Sequence, residues 1–262
     1  MLFFDKVIGD NAINDNGVVS RWGSHIEVCV FGEASTYSNR NLSTLFTMFG
    51  ELTYLDFTTK HVSNITECSD TATLYVKFHS GEKSVLSDIV GDISYIQKMN
   101  DMFSPMSVNL SRSGMGFILP SPRPRMYMSV DQFNRSESVF DSVIASNVIQ
   151  QELLQLLLLA ADVGVKFTPR SLIEERYNFF IASGDEGSET KYRKKWARDN
   201  VWNICRYDAM LLLSIYSPET IAGDGTLNFY REFVRRNFSR IENDARDLIA
   251  DPRFSSLIKR PC

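Results

Sequence analysis

The sequence contains few of the residues that build metal sites or membrane spans. It has three histidines and four cysteines in 262 residues. No two cysteines form a Cys-x-x-Cys pair, and their spacing fits no zinc ribbon or zinc finger. The longest apolar run, around Leu153 to Ala161, is about half the roughly 20 residues that a membrane helix needs. These absences exclude the common cysteine-based zinc folds and predict that no transmembrane segment is present.

The chain also lacks an excess of positive charge. Its 28 basic and 32 acidic residues give a net charge of −4, which argues against nucleic acid as a partner of the molecule as a whole. Hydrophobic residues make up 44% and charged residues 23%, the balance of a soluble globular protein. The first six residues, Met-Leu-Phe-Phe-Asp-Lys, carry no basic segment followed by an apolar one, so no signal peptide is expected in them.

The first half of the chain has the pattern of an α+β layer. Alternating apolar and polar residues predict strands at 25–31 and 71–79, and 53–61 is a further β-rich stretch. A helix is predicted from Leu42, with Asn41 or Ser43 as its N-cap, because apolar residues recur there every three or four positions. The remaining elements predicted in this half are a helix over 84–103 and strands at 114–119 and 125–130.

The second half has a helical pattern. Residues 143–161 are dense in Leu and Ile and apolar on nearly every face, which is typical of a buried helix. Two further helices are predicted over 202–215 and 227–249. The predicted organisation is one continuous domain, 1–262, made of an α+β half, 1–141, and a helical half, 142–262.

One motif in this buried helix could carry chemistry, Gln151-Glu152-Leu-Leu-Gln155. Its spacing matches His-Glu-x-x-His, in which two histidines one helical turn apart bind zinc and the glutamate is the general base. Both ligand positions are glutamine here, and an amide oxygen is a poor zinc donor compared with imidazole. The three histidines, which all lie in the first half, are His25, His61 and His79. We therefore predict no metal and no other cofactor.

The stretch from Gln151 to Asp162 resembles the hallmark of an uncharacterised bacterial family of exported, zincin-like domains. That hallmark runs Glu-x-x-Gln-x-Leu-Gly-x-x-Asn-Asp, and this chain departs from it at Leu158, where the family has Gly, and at Ala161, where it has Asn. The resemblance extends over about residues 20–225. Its other pieces are Arg21-Trp-Gly-Ser-His-Ile-Glu-Val, Pro169-Arg-Ser-Leu-Ile-Glu, and Tyr207 to Glu219 followed by Gly223.

The resemblance implies a zincin-like fold: a mixed sheet, an edge strand at 125–130 over a cleft, and the motif helix beneath it with Glu152 facing the cleft. It also implies a periplasmic or secreted protein. In that compartment at least one disulfide is expected, with Cys29–Cys68 and Cys205–Cys262 as the candidate pairs. From the residues alone, idle buried thiols remain the alternative. The family has no established activity.

The predicted function is that of a pseudo-metalloprotease, a non-catalytic zincin-like domain that binds a protein or polysaccharide at the bacterial envelope or outside the cell. The alternative for the same motif is a metal-independent hydrolase that uses Glu152. A purely structural interpretation also stands. In it, Gln151 and Gln155 bond to neighbouring backbone, and Glu152 forms an ion pair with Arg170 or Arg206.

A basic stretch from Lys191 to Arg198 provides a third hypothesis, an anionic-polymer-binding module. Aromatic side chains alternate there with five basic ones, as they do on surfaces that bind such polymers. A solvated loop or helix face is the competing interpretation, because the net charge is negative. The last predicted helix carries a basic face of the ordinary amphipathic kind, which could touch phosphate or lipid headgroups. The binding candidates of the stretch are Lys191, Arg193, Lys194, Lys195 and Arg198, and those of the helix are Arg231, Arg235, Arg236 and Arg240.

Overall fold

The computed structural model contains one five-stranded mixed sheet. It describes residues 17–79, 85–99, 114–119, 124–131, 139–159, 163–164, 174–175 and 203–258, with Phe4, Val7 and Leu172. The strands are β1 His25–Gly32, β2 Asp56–Val62, β3 Leu74–His79, β4 Gly114–Leu119 and β5 Arg125–Asp131. Their order is β2-β1-β3-β5-β4, with β4 antiparallel to β5 and the other pairs parallel. The predicted α+β class with a mixed sheet is confirmed.

Helices connect and follow these strands. Two short strands, β6 and β7, pair with each other in the half that was predicted to be helical, so that prediction holds only in part. The helices are α1 Thr36–Thr53, α2 Val85–Met99, α3 Val139–Leu158, α4 Arg206–Tyr216, α5 Pro218–Ala222 and α6 Leu227–Ala250, and the short strands are β6 Val163–Gly164 and β7 Glu174–Glu175.

Helix α1 begins six residues before the predicted start at Leu42. Its N-cap is Ser35, whose Oγ accepts a hydrogen bond from the Ser38 backbone N–H at 3.0 Å. Asn41 and Ser43, predicted as caps, lie inside the helix. The first turns carry mostly polar residues, so the apolar period that marks a helix appears only after they have passed.

Strand β5 is an interior strand, and the prediction that it forms the edge of the sheet was wrong. It pairs with β3 on one side and β4 on the other, and residues 125–130 are all buried. Among the described strands, the one at this edge of the sheet is β4. The edge assignment came from the resemblance alone, and both faces of this strand are covered, including the one that carries Arg125, Tyr127 and Ser129.

The sheet separates two hydrophobic clusters. On one face, apolar residues of β1, β3 and β5 pack with helices α1, α3, α4 and α6, so that the cluster contains residues from both halves of the chain. On the other face, Cys29, Tyr75 and Tyr127 pack with the isoleucines of α2. Different helices therefore pack on the two faces of the sheet: the motif helix α3 packs on the first face and helix α2 on the second.

The segment before β1 is hydrogen-bonded to α5, to the turn after it and to α6. The Val19 N–H donates to the Gly225 carbonyl at 2.8 Å. The Arg21 guanidinium donates to the carbonyls of Thr220 and Ile221, both at 3.0 Å, and to the Tyr230 hydroxyl at 3.1 Å. Arg21 thereby satisfies carbonyls at the end of α5 that have no partner within that helix.

Candidate functional site

Helix α3 turns its motif residues to a partly exposed face. Gln151, Glu152 and Gln155 are half-buried, whereas Leu153, Leu154 and residues 156–158 are buried. The helix lies against β4 and β5. Over residues 145–158, the leucines and isoleucines predicted to be buried are buried, and the three motif residues lie on the side that solvent partly reaches.

Gly116, in the middle of edge strand β4, lies directly against this face. A Cβ atom at Gly116 would lie 3.0 Å from Glu152 Oε2 and 3.1 Å from Leu156 Cγ. Contacts that short force neighbouring atoms to move. The missing side chain at Gly116 therefore leaves room for the Glu152 carboxylate beside β4.

The three motif residues each have an interaction partner in the protein. Of the two arginines proposed as partners of Glu152, Arg170 lies outside the described residues. Arg206 forms an ion pair with Glu242 at 3.1 Å and stacks over the Tyr207 ring, with its Cζ 5.1 Å from the ring centroid.

The three histidines lie on three different strands, at a distance from α3 in the sequence. His25 starts β1, where its ring nitrogens lie 3.1 Å from Asp56 Oδ2 and 3.2 Å from Thr58 Oγ1. His61 and His79 lie near the ends of β2 and β3. Among the described residues, no three His, Cys, Asp or Glu side chains are grouped so as to hold a metal ion. Near Glu152, the motif itself offers amide oxygens, which zinc binds poorly.

Two side chains from other parts of the chain cap the end of α3. The Trp22 Nε1–H donates to the Leu156 carbonyl at 2.7 Å, and the Tyr216 hydroxyl donates to the Leu157 carbonyl at 2.8 Å. Leu159 then takes a left-handed conformation, with φ of 52°. The position that departs from the family's glycine, Leu158, is still helical. The end of the motif helix is thus fixed by tertiary hydrogen bonds.

Gln150 is a buried structural residue beside the motif that sequence reasoning missed. Its amide donates to Ser146 Oγ at 3.1 Å, and its oxygen accepts from the Ile204 N–H at 3.1 Å. The only sequence signal is a polar residue at a core position of an apolar helix. Its partner is 54 residues away, so no local pattern could indicate the contact.

A second polar cluster, also missed, lies on the opposite face of the sheet. Lys77 Nζ of β3 lies 2.6 Å from Asp92 Oδ2 of α2, and the Tyr127 hydroxyl of β5 donates to the same oxygen at 2.9 Å. Burial, reinforced by the Asp92 charge, raises the pKa of the Tyr127 phenol. A single lysine within the alternating strand Leu74–His79 was the available signal. The cluster fixes α2 against the sheet through buried, charge-assisted hydrogen bonds.

His79 is expected to make the protein less stable in mild acid. Burial, aided by the Lys77 charge and opposed by Asp88, lowers the pKa of His79 from 6.5 to about 4. Its Nδ1 is buried without a hydrogen-bond partner in the described structure. Between about pH 6.5 and pH 4, His79 is protonated in the unfolded chain but stays neutral in the folded protein. The free energy of unfolding therefore declines as the pH falls across that interval.

This prediction is checked by melting temperatures between pH 7 and 4 for wild type, His79→Gln and His61→Gln. His61 is the matched control, because it is exposed on β2. The melting temperature of His79→Gln should fall less over this range than that of wild type, and His61→Gln should follow wild type. Equal slopes for all three proteins would contradict the prediction.

Several arginines of α6 form ion pairs with acidic neighbours. Arg235 and Arg236 pair with Glu232, and Arg246 shares Glu242 with Arg206. Hydrogen bonds from Arg240 and Ser217 hold the pKa of Glu219 at about 2, well below its ordinary value. Ion pairs therefore offset part of the positive charge of this helix, although two arginines share each of Glu232 and Glu242. The Lys191–Arg198 stretch lies outside the described residues, and the anionic-polymer hypothesis stays a prediction.

The cysteines of the first half form the predicted disulfide, Cys29–Cys68. It connects β1 to the segment after the short 3-10 helix Ile65–Glu67. Cys205 is also disulfide-bonded. Its predicted partner, Cys262, lies outside the described residues. Disulfides of this kind form and persist in oxidising compartments.

The chain matches no protein-family model and no curated protein. Among the described helices, none has both the length and the hydrophobicity of a membrane span. Two features of the chain bear on its function: the geometry around Glu152 and the resemblance of its motifs to those of exported zincin-like domains.

Proposed function

We propose that this protein is a zincin-like domain that binds a polymer without cleaving it, a pseudo-metalloprotease. The observation that carries the proposal is the position of the half-buried Glu152 carboxylate beside Gly116 of β4, where Oε2 lies 3.0 Å from the place that a Cβ would occupy. The mixed sheet and the packing of α3 against it agree with the coarser part of the layout that the resemblance implies. The layout differs at residues 125–130, which form an interior strand.

The side chains of the motif suit binding better than zinc chemistry. Gln151 and Gln155 can each donate and accept hydrogen bonds, and an ionised Glu152 accepts them. These groups complement peptide backbone and sugar hydroxyls, which also both donate and accept. The expected ligand is therefore an extended protein segment or a polysaccharide that lies along β4.

The disulfides support a location in an oxidising compartment. Taken with the resemblance to exported bacterial domains, they favour the periplasm or the exterior of a bacterial cell. The binding partner would then be a component of the envelope or an extracellular polymer.

The proposal is tested with two probes, fluorescein-labelled unfolded casein and purified peptidoglycan. We expect the wild type to bind at least one of them and to release no fragments. Gly116→Ala should weaken that binding about threefold, since the added methyl group moves the Glu152 carboxylate by a few tenths of an ångström. Such a shift weakens the hydrogen bond of the carboxylate to the probe without removing it. Gly23→Ala is the matched control, because a Cβ there meets no atom within 4 Å.

Two results would replace the proposal by an enzymatic one. Fragments released from either probe by wild type but not by Glu152→Gln would establish a hydrolase. About one zinc ion per chain in protein purified without chelators, lost in Gln151→Ala, would establish a metal site. Equal binding by wild type and Gly116→Ala would show that the probe binds elsewhere.

A further inference from the structure

Strand β2 is an open edge of the sheet. Within the described part of the chain its only strand neighbour is β1, and most of its side chains are exposed. The Asp56 N–H donates to the Ser24 carbonyl at 2.8 Å. Backbone groups alternate in direction along a strand, so the N–H and C=O of Phe57, Thr59 and His61 point away from the sheet.

This edge lacks most of the devices that keep edges from pairing. Proteins protect exposed strands with proline, bulges or very short length. Strand β2 contains no proline and stays in continuous register with β1 over seven residues. Its main protective feature is the positive charge of Lys60. The same strand also carries a negative charge, Asp56, four residues earlier, and this charge can pair with a lysine.

We propose that β2 pairs with β2 of a second copy of this chain, antiparallel about a two-fold axis through Thr58. In that register Phe57 of each copy forms a hydrogen-bonded pair with Thr59 of the other. Asp56 of each copy then lies opposite Lys60 of the other, in the non-hydrogen-bonded positions where side chains approach most closely. One strand supplies both members of the ion pair, which is why a second copy is the occupant.

The contacts that Asp56 and Lys60 make within one copy do not prevent them from pairing with the second copy. Asp56 lies 3.1 Å from the His25 ring, and Lys60 donates to the Glu67 carbonyl at 2.9 Å. Both contacts are exposed, and exposed contacts contribute little to stability. Each side chain can therefore turn to its counterpart across the axis.

A groove between α1 and β2 provides room for the second copy. Its volume is about 360 Å³, and small residues of α1 line it, namely Ser43, Thr47 and Gly50. The two-fold axis places both α1 helices on one face of the joined sheet, where the two grooves face each other. Glu51, at the same groove, is held by Arg253 at 2.8 and 3.0 Å, which reduces the repulsion between the two Glu51 carboxylates.

The test is the mass of the protein in sedimentation equilibrium over a range of concentrations. The wild type should reach twice its monomer mass of 29.9 kDa. Asp56→Lys and Lys60→Asp each place like charges opposite one another twice per dimer, so each should raise the dissociation constant about 30-fold. An equimolar mixture of these two variants restores both ion pairs and should form a heterodimer.

Thr59→Pro is the second test of the same edge. It removes an outward N–H and no hydrogen bond to β1, so it should abolish the dimer and leave the circular dichroism spectrum unchanged. Thr59→Val, which keeps the N–H, is its control. A wild type that stays at 29.9 kDa up to about 1 mM would overturn the proposal. A dimer that survives all three substitutions, or a mixture that does not associate, would also overturn it.

Discussion

Reducing the Cys29–Cys68 disulfide is expected to lower the free energy of unfolding by about 4 kcal/mol. The bond joins residues 39 apart in the sequence. Opening a loop of that length increases the conformational entropy of the unfolded chain, which lowers its free energy by about 4 kcal/mol at 25 °C. Both cysteines are buried in the cluster on the α2 side of the sheet. Reduction should therefore also loosen the packing of α2.

The measurement is a guanidinium titration with and without dithiothreitol in a Cys205→Ala/Cys262→Ala background. Removing those two cysteines leaves Cys29–Cys68 as the only bond that the reductant can open. Cys29→Ala/Cys68→Ala in the same background should have the same free energy of unfolding as the reduced protein, and dithiothreitol should not change it. A loss below about 1 kcal/mol would show that the unfolded chain retains structure around this loop.

Asp208→Ala is expected to cost about 3–5 kcal/mol. The Asp208 carboxylate is fully buried in the first turn of α4 and accepts from the Cys205 N–H at 2.8 Å. It also accepts from the Leu172 N–H, at 3.0 and 3.2 Å to its two oxygens. Alanine leaves two buried N–H groups without an acceptor, and each orphaned group costs about 1–3 kcal/mol. The negative charge that favours a helix N-terminus is lost as well.

Thermal and denaturant unfolding will measure this loss. Asp208→Asn keeps one side-chain oxygen and should lose about half as much stability as Asp208→Ala. Asp224→Ala is the matched control, since Asp224 accepts from the Thr226 N–H at 2.8 Å in an exposed position before α6. Its expected cost is about 1 kcal/mol or less. Similar losses for Asp208→Ala and Asp224→Ala would show that burial does not determine the cost.

The elements of the fold were predictable wherever the pattern is local. Alternation located β1 and β3, and the amphipathic period placed α6 at 227–249, against Leu227–Ala250 in the structure. Strand order was not predictable, because it depends on which strands pair across long separations. Strand β5 shows the difficulty most clearly: the resemblance implied that it is an edge strand, yet it lies between β3 and β4, and Tyr127 is buried and hydrogen-bonded to Asp92.

The candidate site likewise has some features that the local sequence predicts and others that depend on distant contacts. The spacing of Gln151, Glu152 and Gln155 was sufficient to place them on one helix face. Their neighbour Gly116 could not be anticipated, since the contact requires β4 to be the edge strand beside α3. The caps of α3, Trp22 and Tyr216, were equally out of reach, because they lie 134 and 59 residues from the carbonyls they bind.

The contacts of the segment before β1 have a consequence for synthesis of the chain. Arg21 binds the Tyr230 hydroxyl, 209 residues later. At about 5–20 residues per second, a ribosome needs roughly 10–40 s to produce that partner after Arg21 itself. During this interval Val19 and Arg21 have none of their carboxy-terminal partners, and the cap that Trp22 provides must wait for Leu156. Val19, Arg21 and Trp22 are thus among the last described residues to reach their final positions, and until then they are open to proteases and chaperones.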